Sequence, residues 1–411
     1  LGPGISVPTR GKGSISKTPE DDKGEALMDL VYIAPAYSDF TSRSANSIHI
    51  MRMCEAFAQN GHKTTLVLFS RGESREQVFE NYGIEPSFEI HQVKVAGKRW
   101  EKLRYSLAAS SAAAALGPDL VVGRSTEACA LSAIRGIPTV YDAHKPVWEK
   151  TRELVFYLLF YRNRNLLRMT TNSRALKEIF EKARLSPHCG ITVANNGSLV
   201  LPLEEIPSEW PGREDAFQVG YVGHLYAGRG VEIIVSVAGT MPDVDFHVVG
   251  GNEADIERWK SAVNLPNLFF HGFIRHADVY RYRNRCDVLL APYQEKVGLA
   301  GGGDQGKYMN PIKIFEYMSS RKAIVCSNLP VLHEILEHGR NAILCAPGNA
   351  GEWQEAIERL REDDSLRQRL AEAAYKDFLQ GYTWKARAEK MIEGLEPYPG
   401  GNPRGNLGKR H

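Results

Sequence analysis

The chain has 411 residues, room for two or three domains of ordinary size. Its composition, 43% hydrophobic and 24% charged, is that of an ordinary globular protein, and a net charge of +2 lacks the basic excess of a nucleic-acid binder. Six cysteines (Cys54, Cys129, Cys189, Cys286, Cys326, Cys345) lie scattered without a CxxC or CxxH pair, mostly in apolar runs, which points to a reducing compartment and no structural zinc.

Residues 1–26 are rich in Gly, Ser, Lys and Pro, lack an apolar signal core and read as a flexible leader or tag. The Gly/Asn/Arg-rich residues 399–411 read as a flexible tail. No uninterrupted apolar window reaches the length of a membrane span. Between these ends, strand-like apolar runs alternate with helical segments, the pattern of parallel α/β architecture. The first run is Asp29–Pro35, followed by a polar loop and a helix over 47–60 that stops at Gly61. Strands follow at 63–69, 119–123, 138–142 and 191–194. The Pro- and Glu-rich stretch at 201–215 reads as a linker, after which the pattern restarts at 217–222, 245–249, 268–270, 287–291 and 323–326. Two Rossmann-like domains, 27–200 and 216–381, are expected to face a central cleft, with the active site at the strands' carboxyl ends. Residues 382–398 read as a final helix packing back on the first domain.

Three segments carry candidate chemistry. Pro311 suits a helix start, and Lys313 and Glu316 share one face of the helix that follows. Such a carboxylate can accept from ribose hydroxyls while lysine and the helix amides face phosphate; an exposed ion pair is the plainer alternative. The run Gly223–Gly230 joins a strand to a helix, so its amides can cradle an anion beside His224 and Arg229. In the first half, Val140–His144 ends a strand at the expected cleft, where a lone histidine serves a ligand or the strand end itself.

Together these segments resemble the retaining GT-B glycosyltransferases of the GT4 family. The resemblance makes Tyr221–Gly230 the glycine loop, with His224 and Arg229, five apart, on the donor diphosphate; relatives more often have Arg then Lys. It makes Asn310–Met318 the donor helix, with Glu316 on the ribose and Asn310 and Pro311 beside the donor sugar. The strand end at Phe273 is where the nucleobase packs. The family's other glutamate falls at Tyr308, which the resemblance places beside the donor sugar, and the loop before it, 298–307, is glycine-rich and reads as a lid or as a mobile surface loop. Loop residues Arg43, Ser44 and Asn46 correspond to the acceptor side, where relatives carry paired glycines.

The resemblance implies sugar transfer from a UDP- or GDP-type donor to an acceptor hydroxyl with retained anomeric configuration. His144, Arg229 and Glu316 are the catalytic set, Gly223 and Lys313 join the phosphate contacts, and no bound cofactor or metal is expected. The acceptor would be a glycan, a lipid-linked sugar or a small molecule, and the setting cytoplasmic, with cell-surface glycan synthesis at the inner membrane face as one role. Two basic-aromatic segments, Lys98–Tyr105 and Phe156–Arg168, have the composition of a bilayer-contacting face, although the second also suits a helix packed within its domain. A nucleotide-sugar 2-epimerase and a silent sugar-nucleotide binder are the competing functions. An NAD-linked oxidoreductase is weak because no GxGxxG follows the first strand.

Overall fold

The computed structural model describes residues 26–41, 44–97, 100–275, 277–298 and 304–397. Arg43, most of the leader, the tail and the centre of the glycine-rich loop before Tyr308 lie outside the described residues.

Among the described residues, seven parallel strands form the first sheet: β1 (Asp29–Ile33), β2 (Lys63–Phe69), β3 (Glu89–Val93), β4 (Leu120–Gly123), β5 (Thr139–Ala143), β6 (Leu166–Thr171) and β7 (Ile191–Val193). Their order is β3-β2-β1-β4-β5-β6-β7. Six more make the second sheet: β8 (Phe217–Val222), β9 (Val244–Val249), β10 (Leu268–Gly272), β11 (Val288–Ala291), β12 (Ala323–Ser327) and β13 (Ile343–Cys345), in the order β10-β9-β8-β11-β12-β13. Helices cover both faces, so central strands such as Leu66-Val67-Leu68 and Val288-Leu289-Leu290 are fully buried. Strand order reverses beside β1 and beside β8, which places a ligand-binding crevice at the carboxyl end of each sheet.

Three strands lie beyond the sequence reading. β3 and β13 are edge strands, and β3 carries alternating rather than continuous apolar residues. β6 corrects the reading of Phe156–Arg168 as a single helical segment: the helix Thr151–Phe160 stops, and Asn163 accepts the Asn165 amide at 2.9 Å in the turn that starts β6. The linker lacks regular structure but is firmly attached. Trp210 stacks on His247 with ring centroids 3.9 Å apart, and Arg213 donates to Asp245 at 2.6 Å.

The last helix, Trp384–Ile392, is capped by Thr383 and packs on the first helix, Ala45–Gln59, so Trp384, Ala388, Met391 and Ile392 complete the core of the first sheet. It also brings Arg387, 2% exposed, into that domain, where the guanidinium contacts both Asp142 oxygens at 2.8 and 2.9 Å. Removing one partner of a buried ion pair strands the other charge in a low-dielectric interior. Arg387→Met is therefore expected to lower unfolding free energy by about 3–5 kcal/mol; chemical denaturation showing no loss would remove the pair from the stabilising contacts.

Candidate functional site

The C-terminal half supplies a cationic turn. β8 ends at Val222, and the loop to the helix Val231–Thr240 passes through Gly223, Gly228 and Gly230, all at positive φ. A Cβ on Gly230 would collide with the Pro292 carbonyl oxygen, and one on Gly223 would lie 2.7 Å from Lys313 Nζ. At positive φ and against the Pro292 backbone, only glycine fits at 230. The helix Ile312–Ser319 starts at Pro311, its N-cap, and is held to both strand ends by Tyr317, whose hydroxyl accepts the Val222 amide at 2.8 Å and donates to the Leu290 carbonyl at 3.1 Å.

Lys313 lies over the Tyr221 ring at 3.7 Å and faces Tyr293, which also carries the Arg229 guanidinium at 5.6 Å. Desolvation and the Arg229 charge push Lys313 well below the usual lysine value, with Glu316 acting in the opposite sense. Arg229 Nε is shielded from solvent and has no hydrogen-bond partner. Two basic side chains packed on aromatic faces beside a helix start can receive an anion. Glu316 sits one helical turn further on, 3.7 Å from Arg283. His224 is exposed, stacks on Tyr226 with centroids 4.9 Å apart, and is pushed below its ordinary value by desolvation and by Arg229. Phe273, just past β10, is 67% exposed, an aromatic face open to a ligand.

The N-terminal half supplies a histidine on a fixed carboxylate. Asp142 and His144 share one side of the β5 end because strand side chains alternate. His144 Nε2 lies 2.8 Å from Asp142 Oδ2, which assigns its proton to Nε2. Nδ1 then accepts from the Asn172 amide at 3.3 Å, a long bond that a ligand hydroxyl can replace. Desolvation, reinforced by Arg124, pushes His144 down to about 4, so the ring is neutral at pH 7. His49, 1% exposed, packs edge-on to His144 with centroids 4.7 Å apart. Ligand atoms of His49, Asp142 and His144 lie within 4.8 Å of one another, the spacing of a metal centre. Arg387 already meets this donor set: its Nη2 touches both Asp142 oxygens and lies 3.5 Å from His144 Nε2.

Several expected ligands instead join the two halves. The Asn310 side chain accepts the Asn196 backbone amide at 2.6 Å, and its carbonyl accepts the Asn196 side-chain amide at 2.6 Å. Tyr308, expected beside the donor sugar, points into the first domain and donates to Glu149 at 3.1 Å, while its carbonyl accepts from Ser173 at 2.9 Å. Glu334 accepts the Arg174 amide and the Asn195 side chain at 2.7 and 2.6 Å. Ser44 caps the first helix by accepting from Ser47 at 3.3 Å, and Asn46 donates to Ser38 at 2.6 Å, so both shape the loop after β1. Sequence reasoning passed over Arg124, Asp142, Arg283 and Arg387. A lone Arg124 directly after the buried β4 and the Asp-x-His spacing at 142–144 were readable signals; Arg283 and Arg387 had none, because their partners are distant in the chain.

A family model described as Glycosyl transferases group 1 matches residues 203–377, and one described as Glycosyltransferase Family 4 matches residues 47–197. Alpha-D-kanosaminyltransferase of Streptomyces kanamyceticus is 27% identical over 171 residues, 40% of this chain and 41% of that protein. D-inositol 3-phosphate glycosyltransferase of Paenarthrobacter aurescens (strain TC1) is 20% identical over 193 residues, 44% of each. The chain thus matches less than half the length of these curated relatives. The Anabaena protein Alr3699/HepE in complex with UDP aligns with a TM-score of 0.68 at 18% identity, over 90% of this chain and 99% of that one. Sucrose-phosphate synthase of Thermosynechococcus elongatus aligns at 0.66 and 15% identity, over 88% and 97%. The two family models fall one on each half, and both neighbours share the two-sheet fold over nearly their whole length. The chain belongs to the GT4-type glycosyltransferases of the GT-B fold.

Proposed function

We propose that the protein transfers a sugar from a nucleoside-diphosphate donor, UDP or GDP in type, to an acceptor hydroxyl with retained anomeric configuration. The observation that carries this reading is the pairing of Arg229 with Lys313 over Tyr293 in a glycine-lined turn. Holding two cations this close is unfavourable in the empty site and becomes favourable when a diphosphate fills it. Neighbours of the same fold are consistent with UDP: HepE was solved with UDP and glucose, and Staphylococcus aureus TarM with UDP and alpha-GlcNAc-glycerol.

In this reading Arg229 and Lys313 neutralise the departing diphosphate. Glu316 accepts from ribose, Phe273 carries the base, and neutral His144 accepts from a donor-sugar hydroxyl at Nδ1. Asp142 is enclosed by Arg387, Thr170 and His144, which removes it as a nucleophile. A same-face, ion-pair-like displacement, with the leaving phosphate taking the acceptor proton, suits that enclosure. Among the described residues no helix is long and apolar enough to cross a membrane. The helix Thr151–Phe160 exposes Val155, Leu158 and Leu159 just before exposed Arg162 and Arg164, which supports a peripheral role at the cytoplasmic membrane face in glycan or glycolipid assembly.

Calorimetry with UDP and GDP tests the donor site. Arg229→Gln is expected to weaken binding of the preferred nucleotide about 10- to 100-fold; unchanged affinity would sink the phosphate role. The pH dependence has a definite sign. Lys313 and His224 are both depressed in the empty site, so a bound diphosphate raises both, takes up protons and binds more tightly as pH falls. His144→Ala should lower kcat by roughly tenfold or more with little change in nucleotide affinity. Product NMR reads the anomeric outcome, and an inverted product would discard the retaining mechanism.

A further inference from the structure

A small pocket of about 30 Å³ opens beside His144, lined by Tyr37, Arg124, Ser125, Glu127 and Lys145 among others. It has space for a small charged substituent and not for a sugar ring. Its charges are unevenly matched. Glu127 is engaged by Arg152 at 2.7 Å, Glu153 by Lys145 at 2.8 Å, and Asp142 by Arg387 at 2.8 Å. Each carboxylate of the pocket therefore has its own cation. Arg124 does not have its own anion: among the described residues it makes no ion pair or hydrogen bond, and its Nε is shut off from solvent without a partner.

A guanidinium donor sheltered from water and left unpaired costs free energy that a ligand anion recovers. The surroundings favour the same sign. The helix Thr126–Ile134 begins at the pocket with Ser125 as its cap, so its positive end adds to the Arg124 field. That field reaches the neighbouring imidazoles, pushing both His49 and His144 away from protonation.

We propose that the acceptor carries an anionic group, a carboxylate or a phosphate monoester, that binds Arg124 beside His144. This rests on the glycosyltransferase reading, in which the carboxyl ends of β4 and β5 form the acceptor side of the cleft. Anchoring the charge at Arg124 turns the rest of the acceptor past His144 toward the donor sugar. Neutral acceptors lose this anchor, so the pocket is a specificity determinant of the N-terminal domain.

The test titrates inorganic phosphate and acetate, separately, into full-length protein held at saturating UDP. Wild type is expected to bind one of them, and the anion that binds identifies the charged group. Arg124→Gln is expected to weaken that binding about tenfold or more. Arg124→Lys keeps the charge and should retain most of it, and unliganded melting midpoints report whether either variant is misfolded. Arg229→Gln separates the two anion sites. Loss in Arg124→Gln with retention in Arg229→Gln supports the proposal. Loss confined to Arg229→Gln, or no binding of either anion to wild type, overturns it. UDP affinity measured on wild type and Arg124→Gln is expected to be equal. Failure of UDP to bind at all would sink the donor assignment, while the Arg124 and Arg229 comparison would still report on the acceptor pocket.

Discussion

The pair between Asp142 and Arg387 holds the centre of this molecule together. Its carboxylate is fully buried and accepts from Arg387, from Thr170 on β6 and from His144. Burial alone would raise the Asp142 pKa; the guanidinium and His144 overcome it and hold the carboxylate well below its ordinary range. A buried ion pair adds little net stability compared with apolar packing, because both ions must be desolvated. What it does add is position. The end of β5, the neighbouring β6 and the last helix meet at one carboxylate, and His144 takes its orientation and tautomer from the same group.

The second constraint is electrostatic and lies across the cleft. Arg229 and Lys313 share the Tyr293 ring beside a glycine turn, against aromatic faces that offer only partial compensation. Local rules of charge matching are broken there, as they are at Arg124 on the opposite domain, and such breaks concentrate where a ligand completes the charge balance. The two unmatched regions lie at the strand ends of opposite sheets, where the proposed reading puts the leaving diphosphate and the incoming acceptor.

Between them runs a joint made of short polar side chains. Asn196 and Asn310 exchange two hydrogen bonds, and Glu334 gathers Arg174 and Asn195 from the first domain. Asn310 immediately precedes Pro311 and the helix bearing Lys313 and Glu316, so that helix begins where the domains are fastened. Tyr308, in the position of the family's first glutamate, reaches across the joint to Glu149. A carboxylate from the other domain thus accepts from the phenol and links the two halves.

Much of this was legible beforehand, for identifiable reasons. Continuous Val/Ile/Leu runs mark strands buried on both faces, so β1, β2, β4, β5 and most of the second sheet could be placed from local pattern. Edge strands β3 and β13 lacked that pattern, and β6 was hidden by the apolar helix running into it. The glycine turn with Arg229 and the Lys313–Glu316 helix were visible because their spacing is local. Asn310 and Tyr308 also bond across to the first domain, which nothing local shows, since their partners there are distant in the chain. Strand pattern and short-range spacing thus dictate two Rossmann-like halves and a phosphate-suited turn. The enclosure of Asp142 by Arg387, the isolation of Arg124 and the fastening of the halves depend on residues up to 245 positions apart, whose meeting is set by packing and not by any local preference.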